Sequence, residues 1–229
     1  MSNEQINNTA TIGSSESHVA PDVLMLMGTH CAYCLPMMQV LSELMKAGHI
    51  GELRIVNIED NTQLASQYDV RNVPWLRVGQ FELSGSRSKQ ELLQWLKRAS
   101  TFEGITAYLD EVLSEGSIQS ANKLVDEDPH VLVNVIELMA DPDAKINVRL
   151  GVGVIIEDLA ESEEFKIAIP PLINHLSSDD ARVRGDACHY LSLTKDVSHI
   201  AAIENLLNDE SEEVREIAQD SLDELRVIE

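Results

Sequence analysis

The sequence lacks any apolar run long enough to cross a bilayer, which takes roughly 20 consecutive apolar residues. The first 20 residues, MSNEQINNTATIGSSESHVA, also lack the basic start and the apolar block of a secretory signal. They are polar and rich in Asn, Ser and Thr, so we predict a flexible N-terminal tail over residues 1–20. No membrane partner is expected, and the predicted location is the cytoplasm.

Basic residues are scarce, since 17 Lys and Arg stand against 39 Asp and Glu and the net charge is −22. Residues 1–100 hold 8 basic and 10 acidic residues, whereas residues 101–229 hold 9 and 29. Nucleic acid is therefore not an expected partner, because its phosphates bind mainly to Lys and Arg. The acidic surface keeps the helices soluble, suits a saline cell interior or meets a basic partner, and charge alone does not separate these alternatives.

Cysteine is also scarce, and three thiols do not build a disulfide scaffold. Cys31 and Cys34 form a CxxC motif within THCAYCLP, and Cys188 stands alone more than 150 residues later. In a reducing compartment a CxxC motif indicates redox catalysis or metal binding rather than a structural bridge.

The first hundred residues predict secondary structure in the order βαβαββα. A helix is predicted after the CxxC motif, because apolar residues recur there at three- and four-residue steps, and Gly48 closes it. The segment VPWLRVGQFELSG predicts a hairpin in which Gly79 supplies the positive φ of a type II′ turn. Ser88 and Glu91 are spaced as the capping box of the last helix.

These residues resemble the thioredoxin fold over about residues 20–100. The stretch IVNIEDNTQLASQYDVRNVPWLRV is similar to the thioredoxin segment that runs from a central strand through a short helix to a Val-Pro dipeptide. The resemblance implies that the Val73–Pro74 bond is cis and lies against the CxxC motif. CAYC is closer to the glutaredoxin sequence CPYC than to the thioredoxin sequence WCGPC. The predicted fold class is therefore α/β and thioredoxin-like, in a short form.

The resemblance also assigns chemistry to the two thiols. Cys31 is the expected nucleophile, placed at the first turn of the helix, where free N–H groups and the dipole stabilise an anion by roughly 0.3–1 kcal/mol. Cys34, one turn later, is the expected resolving thiol. Val73 and Pro74 are expected to shape the substrate groove, with Tyr33 as a substrate-facing aromatic or only a spacer. No acidic residue can be assigned beneath the thiols, because the first strand and helix of thioredoxin have no counterpart here.

The second half carries an internal repeat. DPDAKINVRLGVGVIIEDL, SDDARVRGDACHYL and DESEEVREIAQDSLDEL each contain an acidic turn, a Val-Arg pair and an apolar stripe. The pairs begin at Val148, Val183 and Val214, and spacings of 35 and 31 residues are typical of stacked helix pairs. The pattern resembles short bacterial HEAT-like repeats, which implies an all-α solenoid of about four helix pairs over residues 101–229.

Several side chains of the repeats receive structural interpretations. Cys188 lies on an apolar stripe and is predicted to be buried and inert. Asp128 and Asp141, each followed by Pro, are predicted to cap the next helix. Three repeat arginines are expected to tie neighbouring helices to the acidic turns, namely Arg149, Arg184 and Arg215.

The sequence thus predicts a thiol-disulfide oxidoreductase with a tail over residues 1–20, a thioredoxin-like domain over residues 21–100 and a HEAT-like domain over residues 101–229. Its expected partners are a protein disulfide substrate and a protein ligand of the helical repeats, and no cofactor or resident metal is expected. One alternative is a redox-inactive adaptor whose thioredoxin-like scaffold only supports assembly. Another is a zinc or iron–sulfur site shared by two chains, since one CxxC supplies two of four thiolates. The oligomeric state and the electron donor stay open.

Overall fold

The computed structural model describes residues 20–99 and 101–227. The tail predicted over residues 1–20 lies outside these ranges except for Ala20. Within them, a four-stranded sheet with three helices precedes a stretch built of helices alone. The predicted fold class, an α/β part followed by an all-α part, is therefore confirmed.

The N-terminal part has the predicted order of elements. In chain order these are β1 (Val23–Met27), α1 (Cys34–Lys46), β2 (Leu53–Asn57), α2 (Thr62–Gln67), β3 (Trp75–Val78), β4 (Phe81–Ser84) and α3 (Lys89–Arg98). The strands lie in the order β2-β1-β3-β4, with β1 parallel to β2 and antiparallel to β3. The parallel pair brings the carboxyl ends of β1 and β2 to one edge of the sheet, where the CxxC segment begins.

Local chemistry explains the ends of these elements. Gly79 has a φ of 57° and joins the paired residues Val78 and Phe81, as the predicted turn requires. Gly48 has a φ of 79° just beyond the end of α1. The predicted capping box of α3 is present, because the N–H of Glu91 donates to Ser88 Oγ while the N–H of Ser88 donates to Glu91 Oε2 at 2.7 Å.

The C-terminal part consists of helices packed in succession. Its α-helices are α4 (Phe102–Ser114), α5 (Ile118–Glu127), α6 (Val131–Ala140), α7 (Ile146–Leu159), α8 (Ile169–His175), α9 (Ala181–Leu193), α10 (Ile200–Glu204) and α11 (Glu212–Arg226). Short 3₁₀ segments lead into α8 and flank α10. The later helices pair as the repeat predicts, with α9 against both α8 and α11. In the described ranges no helix has the length and apolar character that crossing a membrane requires.

The two predicted Asp-Pro caps are wrong, because both aspartates end the preceding helix instead. Asp128 follows α5 and Asp141 follows α6, each in an extended conformation. A residue before proline disfavours the helical region, so the helix stops there rather than starting. The carboxylate of Asp128 then accepts a hydrogen bond from the N–H of His130 at 3.0 Å, which closes a tight turn.

The two parts share one hydrophobic core at their junction. Tyr108 of α4 is buried between two aromatic residues of the N-terminal part, with ring centroids 4.8 Å from Phe81 and 6.0 Å from Trp95. Its hydroxyl lies 3.3 Å from the N–H of Glu82 on β4, at the edge of the sheet. The first helix of the all-α part therefore completes the core of the sheet domain.

Candidate functional site

Cys31 lies in a turn ahead of α1, which corrects the prediction that it belongs to the first helical turn. The helix begins at Cys34, and its first bond runs from the N–H of Met37 to the carbonyl of Tyr33 at 3.3 Å. Pro36 has no N–H to bond the carbonyl of Ala32, so the helix does not begin one residue earlier. The dipole of α1 therefore acts on Cys31 from farther away than the sequence implied.

The sulfur atoms of Cys31 and Cys34 are joined in a disulfide, with their Cα atoms 5.4 Å apart. The two cysteines differ sharply in accessibility. Cys34, the first residue of α1, is 1% exposed and packs in the hydrophobic core, whereas Cys31 is only partly buried. A reagent from solution therefore reaches the sulfur of Cys31 first.

The segment before β3 lies directly against Cys31. The Val73–Pro74 peptide bond is cis, and the Cys31 sulfur lies 3.6 Å from the carbonyl oxygen of Val73. Pro74 is buried, while Val73 is partly exposed beside the sulfur. The structure thus brings together Cys31, Cys34, Val73 and Pro74 at the carboxyl edge of β1.

Tyr33 lies at the rim of this site. It precedes α1 and is 65% exposed, and its side chain makes no capping bond to the helix. Its neighbour Leu35 is 61% exposed. The thiols are therefore flanked on the α1 side by an apolar rim that is open to a protein surface.

A polar anchor beneath the CxxC segment was missed by the sequence analysis. The N–H of Thr29 donates to Glu59 Oε1 at 2.7 Å, and the side-chain amide of Asn57 donates to Thr29 Oγ1 at 2.9 Å. The hydrogen bonds from Thr29 lower the pKa of the Glu59 carboxyl, with a smaller contribution from His30. Asn57 ends β2 beside the end of β1, and Glu59 follows two residues later, so this adjacency of parallel strands is the signal that would have found them.

The other singled-out residues lie away from this site. Cys188 is fully buried, and burial raises the pKa of its thiol to about 11, as expected for an inert cysteine. Arg184 binds both carboxylate oxygens of Asp209 at 2.8 Å and so ties α9 to the turn before α11, as predicted. Arg215 donates to the carbonyls of that same turn. Arg149 instead lies exposed beside the groove between α7 and α9.

Across residues 20–99 and 101–227, no three or more His, Cys, Asp and Glu side chains are grouped so that they could hold a metal ion. Comparison with protein families matches residues 22–97 to the model of a thioredoxin domain. It matches residues 124–223 to the model of HEAT repeats. A search of curated proteins gives no match.

Proposed function

Since the chain joins a thioredoxin-like domain to C-terminal HEAT repeats, we propose that it is a thiol-disulfide oxidoreductase that reduces protein disulfides through Cys31 and Cys34. The observation that carries this proposal is the asymmetry of the pair. Cys31 is accessible and lies 3.6 Å from the Val73 carbonyl, whereas Cys34 is buried within bonding reach of it. An accessible nucleophile backed by a protected partner is the arrangement that two-step disulfide exchange needs.

The proposed reaction begins from the dithiol. The Cys31 thiolate attacks one sulfur of the substrate disulfide, so that a Cys31–substrate bond forms and the substrate S–S bond breaks, releasing a thiolate that takes a proton from water. Cys34 loses its proton and attacks the Cys31 sulfur, which releases the second substrate thiolate and closes the Cys31–Cys34 disulfide. Two electrons have then passed to the substrate, and an external dithiol restores the pair.

Val73 and Pro74 are proposed to hold the substrate chain. The Val73 carbonyl is next to the reacting sulfur, so it can accept a hydrogen bond from the substrate backbone. Pro74 has no N–H, so this segment does not extend the ladder between β3 and β1 past Trp75, while the carbonyl of Pro74 accepts a hydrogen bond from the N–H of Gly85 on the other side at 2.9 Å. Tyr33 is proposed to contact the substrate from the opposite rim, because it is exposed beside Cys31.

The HEAT repeats are proposed to hold a protein partner on α7. Ile146, Leu150 and Val154 are four residues apart, so they lie on one face of the helix, where they are 66%, 63% and 38% exposed. Lys145 and Arg149 are exposed beside them, within a half of the chain that is otherwise strongly acidic. This apolar and basic face suits an amphipathic segment that carries acidic residues.

The compartment and the domain boundary are also proposals. We place the protein in the cytoplasm, where glutathione and thioredoxin systems keep CxxC pairs reduced, so that reduction is the working direction. We place the boundary between residues 100 and 101, because Thr101 begins the all-α part by accepting a hydrogen bond from the N–H of Gly104 at 3.0 Å.

The test is reduction of insulin disulfides, with dithiothreitol as the recycling dithiol. Cys31→Ser is expected to abolish activity, because no nucleophile remains. Cys34→Ser is expected to accumulate a mixed disulfide with the substrate. Cys188→Ser is the matched control and is expected to keep full activity, because Cys188 is buried in α9, outside the thioredoxin-like domain.

Activity that survives in Cys31→Ser contradicts the proposal. An inactive wild-type protein that captures its partner equally well in oxidised and reduced form indicates the adaptor. Stoichiometric zinc or iron in protein purified without added metal indicates the shared metal site.

A further inference from the structure

A cleft of about 430 Å³ lies between the thioredoxin-like domain and the first turns of α5. One wall is the segment formed by residues 67–72, which leads into Val73. The other walls come from β3 and β4 and from residues 117–123 at the start of α5. Each half of the protein therefore supplies part of the cleft, and neither forms it alone.

The cleft begins next to the reacting thiol. Asn72, which lines it, is the residue before Val73, and successive Cα atoms are about 3.8 Å apart. The Val73 carbonyl is 3.6 Å from the sulfur of Cys31. A chain that lies over Cys31 and pairs with Val73 therefore enters the cleft within one or two residues.

The lining is polar but balanced in charge. Its uncharged hydrogen-bonding side chains are Gln67, Asn72, Ser84, Ser117, Gln119 and Ser120. Both of its basic side chains are already paired, Arg71 with Asp69 at 3.1 Å and Lys123 with Glu82. The cleft thus offers amide and hydroxyl groups to a backbone, and among the described residues that line it no cation is left unpaired for a carboxylate.

Aromatic residues provide a floor for this cleft. Tyr68 and Trp75 both line it, and their ring centroids are 5.1 Å apart. Lys123 lies 4.9 Å from the centre of the Tyr68 ring, which fixes the ring from the α5 side. A floor of packed rings beneath amide and hydroxyl groups suits an extended peptide better than a small charged molecule.

We propose that this cleft binds the extended, uncharged polypeptide segment adjacent to the disulfide of a protein substrate. The inference rests on the proposed oxidoreductase function and assigns α5 a direct part in choosing the substrate. It is expected to favour polypeptide disulfides over glutathione disulfide, because the two basic side chains of the lining already have carboxylate partners. Substrate specificity is then set by both halves of the protein.

The experiment compares two substrates of the full-length protein. One is a peptide disulfide with long uncharged segments flanking its cysteines, and the other is bis(2-hydroxyethyl) disulfide, which has none. Gln119→Trp fills the cleft from an exposed position on α5. We expect the ratio of kcat/KM for the peptide to that for the small disulfide to fall about tenfold, the loss that one or two hydrogen bonds bring. Gln90→Trp, at an exposed glutamine of α3 outside the cleft, is expected to leave the ratio unchanged.

The alternatives give different results. A ratio unchanged in Gln119→Trp, or lowered equally in Gln90→Trp, overturns the cleft while the oxidoreductase function stands. A wild-type protein that reduces neither substrate refutes the proposed function and the cleft with it. The KM for the uncharged peptide is also expected to change little with salt, because the charges of the lining are paired, and a strong salt dependence contradicts the assignment. Circular dichroism of both variants checks that they are folded.

Discussion

Replacing Tyr108 by Ala is expected to destabilise the thioredoxin-like domain by about 3–5 kcal/mol. Tyr108 belongs to α4 but is 2% exposed, because its ring packs against Phe81 and Trp95 in the core of the sheet. Removing a buried aromatic ring costs about this much, since the neighbours close the cavity only in part. The loss is a large share of the roughly 5–15 kcal/mol that stabilises a typical domain.

Tyr108→Phe separates the ring from its hydroxyl. The hydroxyl accepts a hydrogen bond from the N–H of Glu82 at 3.3 Å and donates one to the carbonyl of Glu82 at 3.4 Å. Both bonds are long, so their removal is expected to cost only about 1 kcal/mol. A much larger effect of Ala than of Phe therefore attributes the stability to ring packing.

The assay is urea unfolding followed by two probes. Both tryptophans, Trp75 and Trp95, belong to the thioredoxin-like domain, so fluorescence reports on that domain. Far-ultraviolet circular dichroism reports mainly on the HEAT repeats, which hold most of the helix. The wild-type curves are expected to coincide, because the halves share a core. In Tyr108→Ala the fluorescence transition is expected at lower urea than the dichroism transition.

Two results refute this reasoning. One is a Tyr108→Ala protein whose curves superimpose on those of the wild type, and the other is a wild type that unfolds in two separate transitions. Tyr33→Ala is the matched control, because Tyr33 is 65% exposed and its loss is expected to change stability by less than about 0.5 kcal/mol.

Three further outcomes are expected. Glu59→Leu removes the acceptor for the N–H of Thr29 and is expected to lower kcat/KM in the insulin assay about tenfold, because the CxxC segment is no longer held in place. Glu59→Gln keeps an acceptor for Thr29 and is expected to retain most of the activity. Equal losses in both variants contradict the positioning role of Glu59. Asp209→Asn leaves Arg184 without its buried partner and costs about 2–3 kcal/mol in urea unfolding. Because the hydrogen bonds from Arg184 lower the pKa of Asp209, the pair stabilises the wild type above the unfolded pKa of about 3.9, and this stability is lost as pH falls through the lower folded pKa. The free energy of unfolding of Asp209→Asn is therefore expected to depend less on pH in this range. Parallel plots of this free energy against pH for the two proteins would contradict the argument. Leu150→Asp weakens binding of a fluorescent amphipathic acidic peptide at least about tenfold by anisotropy while insulin reduction continues, and unchanged binding excludes α7 as the partner surface.

Features that depend on neighbours in the chain could be predicted from the sequence. The hairpin needs only Gly79 with its positive φ between two strand-forming runs. The capping box needs only Ser88 and Glu91 at the right spacing. Local signals mislead where two of them compete at one residue. Asp128 and Asp141 have the side chain of a helix N-cap, but each precedes a proline, which disfavours the helical conformation, so each ends the preceding helix instead.

Features that depend on distant residues could not be predicted in the same way. Glu59 follows β2 and accepts a hydrogen bond from Thr29, which follows β1; the order of the strands places both at one edge of the sheet, but the sequence gives no distance between them. Whether Cys31 belongs to α1 depends on where the first helical hydrogen bond forms. Pro36 has no N–H, so this bond forms one residue later, from Met37 to Tyr33, and the helix begins after Cys31. Charge divides the chain near residue 100, which suggested two independent halves. Tyr108 belongs to the acidic half but packs against Phe81 in the sheet domain, and this contact between distant residues has no signal in the sequence.

The fusion of the two halves follows from the shape of the shortened sheet. Successive side chains of a strand alternate between the two faces of the sheet, and residues paired across two strands lie on the same face. Arg77 and Glu82 are paired in this way, and both lie on the face opposite the hydrophobic core. In that position they need partners, and α5 supplies them, because Glu127 binds Arg77 at 2.6 Å and Lys123 binds Glu82. Lys123 also lines the cleft, together with Asn72, the residue before Val73. The helix α5, which supplies the ionic partners of Arg77 and Glu82, is therefore also the helix that lines the proposed peptide cleft. The contacts that stabilise the junction are the ones on which the proposed substrate selection depends.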